Sequence, residues 1–190
     1  MAAITLLEAR ALLRSDRRHV VFVSAAIRPQ IGYWRTSHLI EITDQETEQR
    51  FIDTRRWLSH SRHSIADGRF NTSHVDLLGD VFPRYFSRDI DLVKAANLKR
   101  SIAEAVIESG HILVSCPDGL SRGAAVARWI ANSHGLALAQ DTRCASSTIS
   151  AVMDETSELH QKMKALDVGK HDRSARVRSR LHEFLFSIGL

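Results

Sequence analysis

Residues 115–123 read Ser-Cys-Pro-Asp-Gly-Leu-Ser-Arg-Gly, between the apolar run His111-Ile112-Leu113-Val114 and the alanine-rich run Gly123-Ala124-Ala125-Val126-Ala127. Ile112-Leu113-Val114 is a β-type run, so Cys116 falls at the carboxyl end of a strand. Helix-forming residues resume at about Arg122. A strand that turns into a helix through a proline and a glycine is the unit from which parallel α/β sheets are built. Ligands in such sheets bind at these turns.

The turn has the parts of an anion site. Its backbone N–H groups and the first turn of the following helix point at one spot. Gly119 permits a backbone path that a side chain would obstruct. Arg122 can hold two oxygens of a tetrahedral anion with its planar fork. A thiol at the centre of that field is expected to ionise more readily than a free cysteine, which would make Cys116 a thiolate at neutral pH. A nucleophile with its own oxyanion cradle results.

Cys116-Pro117-Asp118-Gly119-Leu120-Ser121-Arg122 resembles the CX5R phosphate-binding loop of the cysteine-dependent protein tyrosine and dual-specificity phosphatases. The glycine and the Ser-Arg pair match the common C-x-x-G-x-S-R form, and the segment after the loop is similar to the family's next helix. The resemblance is specific over roughly residues 110–135 and weak elsewhere. It implies hydrolysis of phosphomonoesters through a cysteinyl-phosphate, with phosphotyrosine or phosphoserine/threonine proteins as substrates and no metal or cofactor. Cys116 would attack phosphorus. Arg122 and the loop Pro117, Asp118, Gly119, Leu120, Ser121 and Gly123 would bind the phosphoryl oxygens, Asp118 through its N–H with its side chain turned away. Two positions depart from the pattern. Ser115 stands where the family has histidine, and Gly123 where it has a serine or threonine whose hydroxyl assists departure of the thiolate. Turnover is therefore expected to be slower, or helped by another group such as Ser121.

The family's proton donor is an aspartate on a mobile loop before the cysteine. Asp76, Asp80, Asp89 and Asp91 are the candidates. Asp89 and Asp91 stand at the start of a helix, where acids serve as caps and dipole partners. Asp76 alternates with Val75 and Leu77 as on the outer side of a strand. Asp80 follows the short apolar run Leu77-Leu78-Gly79 and is the expected acid.

Composition bounds the rest. The 190 residues are 44% hydrophobic and 25% charged, the balance of a soluble globular chain long enough for a real core. No apolar stretch approaches the roughly 20 residues of a membrane span, and the first residues lack a signal-peptide core, so an intracellular, cytoplasmic protein is expected. Its two cysteines, Cys116 and Cys144, are expected to be free thiols. A net charge of +4 favours an anionic partner without naming one. Arg55, Arg56, Arg62 and Arg69, with His60 and His63, read either as a solvated face or as a rim attracting phosphorylated substrate. Arg173, Arg176, Arg178 and Arg180 could meet nucleic acid, although no recognised module supports this.

Three prolines, no repeat and no linker point to one domain over residues 1–190. Thr5 and Glu8 fit a capping box opening a first helix. His19–Ser24 and His38–Ile42 read as strands, and about Asp44–Ser59 as a helix. Ser59–Ser73 reads as a polar loop and Val75–Leu78 as a short strand. Asp91–Glu108 is a helix stopped by Gly110, His111–Ser115 a strand, and Arg122–His134 a helix ended by Gly135. Ile149–Leu166 and Ser174–Ser187 read as further helices. The expected fold is α/β, with a central, mostly parallel sheet flanked by helices, of the tyrosine/dual-specificity phosphatase kind. Two other readings stay open: a catalytically weak phosphate-binding module, and a rhodanese or arsenate-reductase type of cysteine enzyme.

Overall fold

A computed structural model describes residues 4–31, 36–44 and 54–168. Four strands, β1 (Val20–Ser24), β2 (Ser37–Thr43), β3 (His60–Ser64) and β4 (His111–Cys116), form one sheet in the order β1-β4-β2-β3. Every pairing is parallel. The protein is therefore α/β with an all-parallel sheet, and all four carboxyl ends lie along one edge.

Both faces of the sheet are covered, which is why β1 and β4 are continuous apolar runs. Alternate residues feed two cores. Val20, Phe22, Ile40, Ile42, Ile112 and Val114 point to the larger one. It is covered by α5 (Leu92–Ile107), α6 (Ser121–His134) and α7 (Ser147–Met153), preceded in the chain by the short helices α3 (Thr72–Leu78) and α4 (Phe82–Tyr85). Val21, Val23, Leu39 and Leu113 point to the smaller core, under α1 (Leu6–Leu12) and α2 (Arg28–Ile31). The small residues of α6 let it settle close to the sheet: a Cβ on Gly123 would lie 3.3 Å from Phe22 Cβ. Among the described residues no helix is long and apolar enough to cross a membrane.

Most local expectations hold. Thr5 and Glu8 form a reciprocal capping box, with Glu8 N–H donating to Thr5 Oγ1 at 3.3 Å and Thr5 N–H to Glu8 Oε2 at 2.9 Å. Asp91 caps α5 by accepting the Lys94 N–H at 2.7 Å. Gly135 ends α6 in the left-handed region.

Five expectations are corrected or fall outside. The Val75–Leu78 strand is instead part of α3: Asn71 accepts the Ser73 and His74 amides and starts a helix that a short apolar run could not announce. The loop expected over Ser59–Ser73 contains β3. Its sequence, His-Ser-Arg-His-Ser, carries no apolar alternation, because β3 is an edge strand whose polar side chains meet a buried acid across the pair. Arg62 is the register partner of Glu41 and bonds its Oε2 at 2.7 Å, Arg28 pairs with Oε1, and His60 lies 3.6 Å away. The helix expected over Ile149–Leu166 breaks at Asp154, with helix resuming over residues 158–168. The helix expected over about Asp44–Ser59 lies mostly outside the described residues, its visible end being a 3-10 turn at Thr54–Arg56. The Ser174–Ser187 helix and Arg173, Arg176, Arg178 and Arg180 lie wholly outside them.

Glu41 and Arg28 are both buried. Removing one partner of a buried ion pair strands the other charge, at about 3–5 kcal/mol. Glu41→Ala is expected to lower unfolding free energy by about that amount in urea titrations, and by clearly more than Arg62→Ala, since Arg62 is less buried than Arg28.

Candidate active site

The edge where the strands end is where the candidate residues gather. Cys116 closes β4 and its Cα is paired with that of Ser24 at the end of β1. The chain then turns over β1: Gly119 has φ +69°, and a Cβ there would lie 2.7 Å from Ser24 Cα. Only glycine allows this approach, so the loop's path depends on Gly119 both for its backbone angle and for space. The turn delivers Ser121 as the first residue of α6, and Arg122 just inside it.

The loop encircles the thiol. Gly123 N–H donates to Cys116 Sγ at 3.2 Å, and the Gly119 amide also bonds the sulfur. Gly123 itself has no room for the family's serine or threonine without adjustment, since its Cβ would lie 3.1 Å from Sγ. Arg122 is buried and braced from two neighbouring strand ends. Its Nη1 pairs with Asp44, just after β2, and donates to the Ile65 carbonyl, just after β3, at 2.9 Å. Its Nε is buried with no partner among the described residues. A buried donor left unmade costs free energy.

Two expectations about the loop are overturned. The Asp118 side chain does not turn away. Its Oδ1 accepts the Cys116 thiol at 3.1 Å and the Leu120 N–H at 3.2 Å, and the Ser121 amide bonds the carboxylate as well. Nor is the thiol acidified. Burial first, then the Asp118 hydrogen bond and charge, push it up to about 12 against the smaller effect of the Gly123 and Gly119 amides. A helix start lowers a thiol pKa only where burial and a neighbouring anion do not outweigh it, and here both act against it. For Asp118, burial acts upward, yet the thiol, the two amides and the Arg122 charge together hold its carboxyl below the usual range.

The carboxylates sort differently from expectation too. Asp80 lies in a 3-10 turn, Gly79–Val81, behind α3 rather than on a loop leaving a strand. Asp91 is the α5 cap, whereas Asp89 caps nothing. It is buried, bonded by the Gly68 amide, and raised mainly by burial and in part by the charge of Asp67. Asp89 thereby anchors the loop after β3, and the Ala66 N–H to Arg88 carbonyl bond at 2.9 Å does the same. That loop presents Asp67, an exposed residue whose Oδ1 accepts the Ser121 hydroxyl at 3.1 Å. Asp67 and Asp44 were missed in the sequence. Asp44 directly follows an apolar strand, a usable signal, but Asp67 becomes a strand-end residue only once β3 is seen. Asp76 pairs with Lys162, far along the chain.

Cys116 and Cys144 are both free, one buried and one exposed. Among the described residues no group of three or more His, Cys, Asp or Glu could hold a metal. No family model matches the chain, and no curated protein or solved structure is significantly similar to it.

Two outcomes check this geometry. Gly119→Ala should destabilise the fold by at least about 1–2 kcal/mol in thermal or urea unfolding, the cost of a Cβ at positive φ before any clash with Ser24. A raised thiol pKa means a protonated, slow Cys116 at neutral pH. Iodoacetamide at pH 7 should modify Cys144 first, with Cys116 reacting only at strongly alkaline pH. Asp118→Asn should move the Cys116 midpoint downward. A wild-type midpoint below pH 8 would contradict the thiol–carboxylate contact.

Proposed function

We propose that the protein is a phosphomonoesterase of the cysteine-dependent tyrosine/dual-specificity phosphatase kind, acting through a cysteinyl-phosphate on phosphorylated protein side chains. The observation that carries the reading is the loop from Cys116 to Gly123: the Gly119 and Gly123 amides bond the sulfur, and the buried Arg122, braced on the Ile65 carbonyl, puts its charge on the loop's Asp118. This arrangement suits a trigonal phosphoryl group whose three equatorial oxygens need fixed donors.

In the proposed reaction the phosphoryl dianion enters the loop and one of its oxygens takes the Cys116 thiol proton, which returns to the sulfur when inorganic phosphate departs; the thiolate sulfur formed attacks phosphorus in line with the ester oxygen. The P–O ester bond breaks, and the departing oxygen takes a proton from a carboxylic acid. Water then attacks the phosphorus of the cysteinyl-phosphate. The P–S bond breaks, the thiolate leaves, and the water's proton returns to the same carboxylate. Asp67 replaces Asp80 as the acid of this scheme, because Asp67 touches Ser121 at the mouth of the loop. The Ser121 hydroxyl, which donates to Asp67 at 3.1 Å, would take the role that Gly123 lacks a hydroxyl to fill.

The raised Cys116 thiol favours a second reading, a phosphate-binding module with little turnover. Trapping separates the two: an acid-quenched cysteinyl-phosphate on Cys116 supports the enzyme, and phosphate binding with no trapped adduct supports the module. Sulfur transfer from thiosulfate to cyanide would instead indicate rhodanese chemistry.

Metal-free hydrolysis of nitrophenyl phosphate should vanish in Cys116→Ser. It should fall by about 10²-fold or more in Arg122→Lys, since lysine lacks the bidentate fork. Asp67→Asn should lose about 10²–10⁴-fold on alkyl phosphates and far less on nitrophenyl phosphate, whose leaving group hardly needs a proton. Asp80→Asn should change both substrates alike. If Asp80→Asn shows the leaving-group dependence and Asp67→Asn does not, the acid is Asp80.

A further inference from the structure

The loop amides that a phosphoryl group would use are already divided between two acceptors of the protein's own. Gly119 and Gly123 serve the Cys116 sulfur, while Leu120 and Ser121 serve the Asp118 carboxylate. Cys116 is fully buried, whereas Asp118 is an exposed residue outside the core.

We propose that Asp118 is a resident anion of this loop, occupying the donors of an incoming oxyanion and leaving them when that oxyanion binds. The idea rests on the reading that the loop binds phosphate. It assigns Asp118 a specificity role within that reading, since the residue competes with dianions at their own donors and covers the nucleophile until one arrives.

The charges around Asp118 set the pH dependence. Arg122 of α6 attracts the carboxylate, and the Cys116 thiol of β4 donates to it. Around these stand Asp44 after β2, paired with Arg122, and Asp67 after β3, bonded to Ser121 and close to Asp89. The end of β1 contributes the uncharged backbone of Ser24. In the empty loop Asp118 holds its proton weakly, because its donors and Arg122 favour the charged form. Beside a bound dianion, stripped of those donors, it must hold a proton more strongly. Binding therefore takes up a proton over the pH range between those two states, and affinity falls as pH rises through that range.

Sulfate is the suitable probe, being a dianion throughout pH 4–8 and needing no turnover. Calorimetric titration of the full chain at pH 7 should show Asp118→Asn binding sulfate at least about tenfold tighter than wild type, since a like charge within a few Å has been removed. The gap should close as pH falls toward 4. Titration in buffers of different ionisation enthalpy should show proton uptake by wild type that is lost in Asp118→Asn. Asp118→Ser, with the same change of charge, serves if the Asn variant fails a thermal-melt check. Equal sulfate affinities, persistent proton uptake in the variants, or no sulfate binding by any of the proteins would each overturn the proposal. Tighter sulfate binding by the variants in a protein that never hydrolyses an aryl phosphate would sustain this inference and defeat the phosphatase reading. Turnover with unchanged sulfate affinity would do the reverse.

Discussion

Everything at the carboxyl edge depends on how closely the backbone of Gly119 lies against Ser24. The chain leaving Cys116 in β4 passes over the end of the neighbouring β1 before it enters α6. Only a glycine at positive φ lets it pass that near. The approach turns the loop amides inward, sets Ser121 at the start of α6, and brings Arg122 within reach of Asp44 and Ile65. Lift the loop by the width of a methyl group and the amides no longer converge on the sulfur.

The second constraint is electrostatic. A parallel sheet gathers strand ends, and here they carry Glu41, Asp44, Asp67 and, in the loop, Asp118, facing Arg28, Arg62 and Arg122. The positive field of the loop is not left open to solvent. Each acid answers a particular donor or cation, and Asp118 answers the loop itself. Burial first, and the Asp118 contact after it, keep the Cys116 thiol protonated although two loop amides bond its sulfur.

The large core supplies the rigidity this site requires. α6 runs from the loop directly into the core, with Ala124, Ala125, Val126 and Ala127 buried, so Arg122 and Gly123 inherit the helix's placement rather than the mobility of a loop. On the other side, the Glu41 cluster ties the polar edge strand β3 to β2, and β3 in turn carries Ile65 and Asp67 to the loop. A surface acid is thus positioned by a buried ion pair whose Glu41 is the register partner of Ser115, the residue before Cys116.

The sequence by itself determined what local physics can express. An apolar β run, a cysteine, a glycine and an alanine-rich helix are adjacent in the chain, so the strand-loop-helix unit, its direction and the place of Cys116 and Arg122 in it were legible. So were the Thr5–Glu8 box, the Asp91 cap and the parallel α/β class. Tertiary structure decided whatever depends on residues distant in the chain. Polar β3 is a strand only because Glu41 lies across from Arg62, and Asp67 is a site residue only because β3 exists. Asp80 loses its apparent loop because Asn71 starts a helix there. The direction of the Asp118 side chain was settled by the Cys116 thiol and by the Leu120 and Ser121 amides, which the fold turns toward it. Pattern and propensity act over a few residues, whereas charge compensation acts across strands, and it is charge compensation that arranges this site.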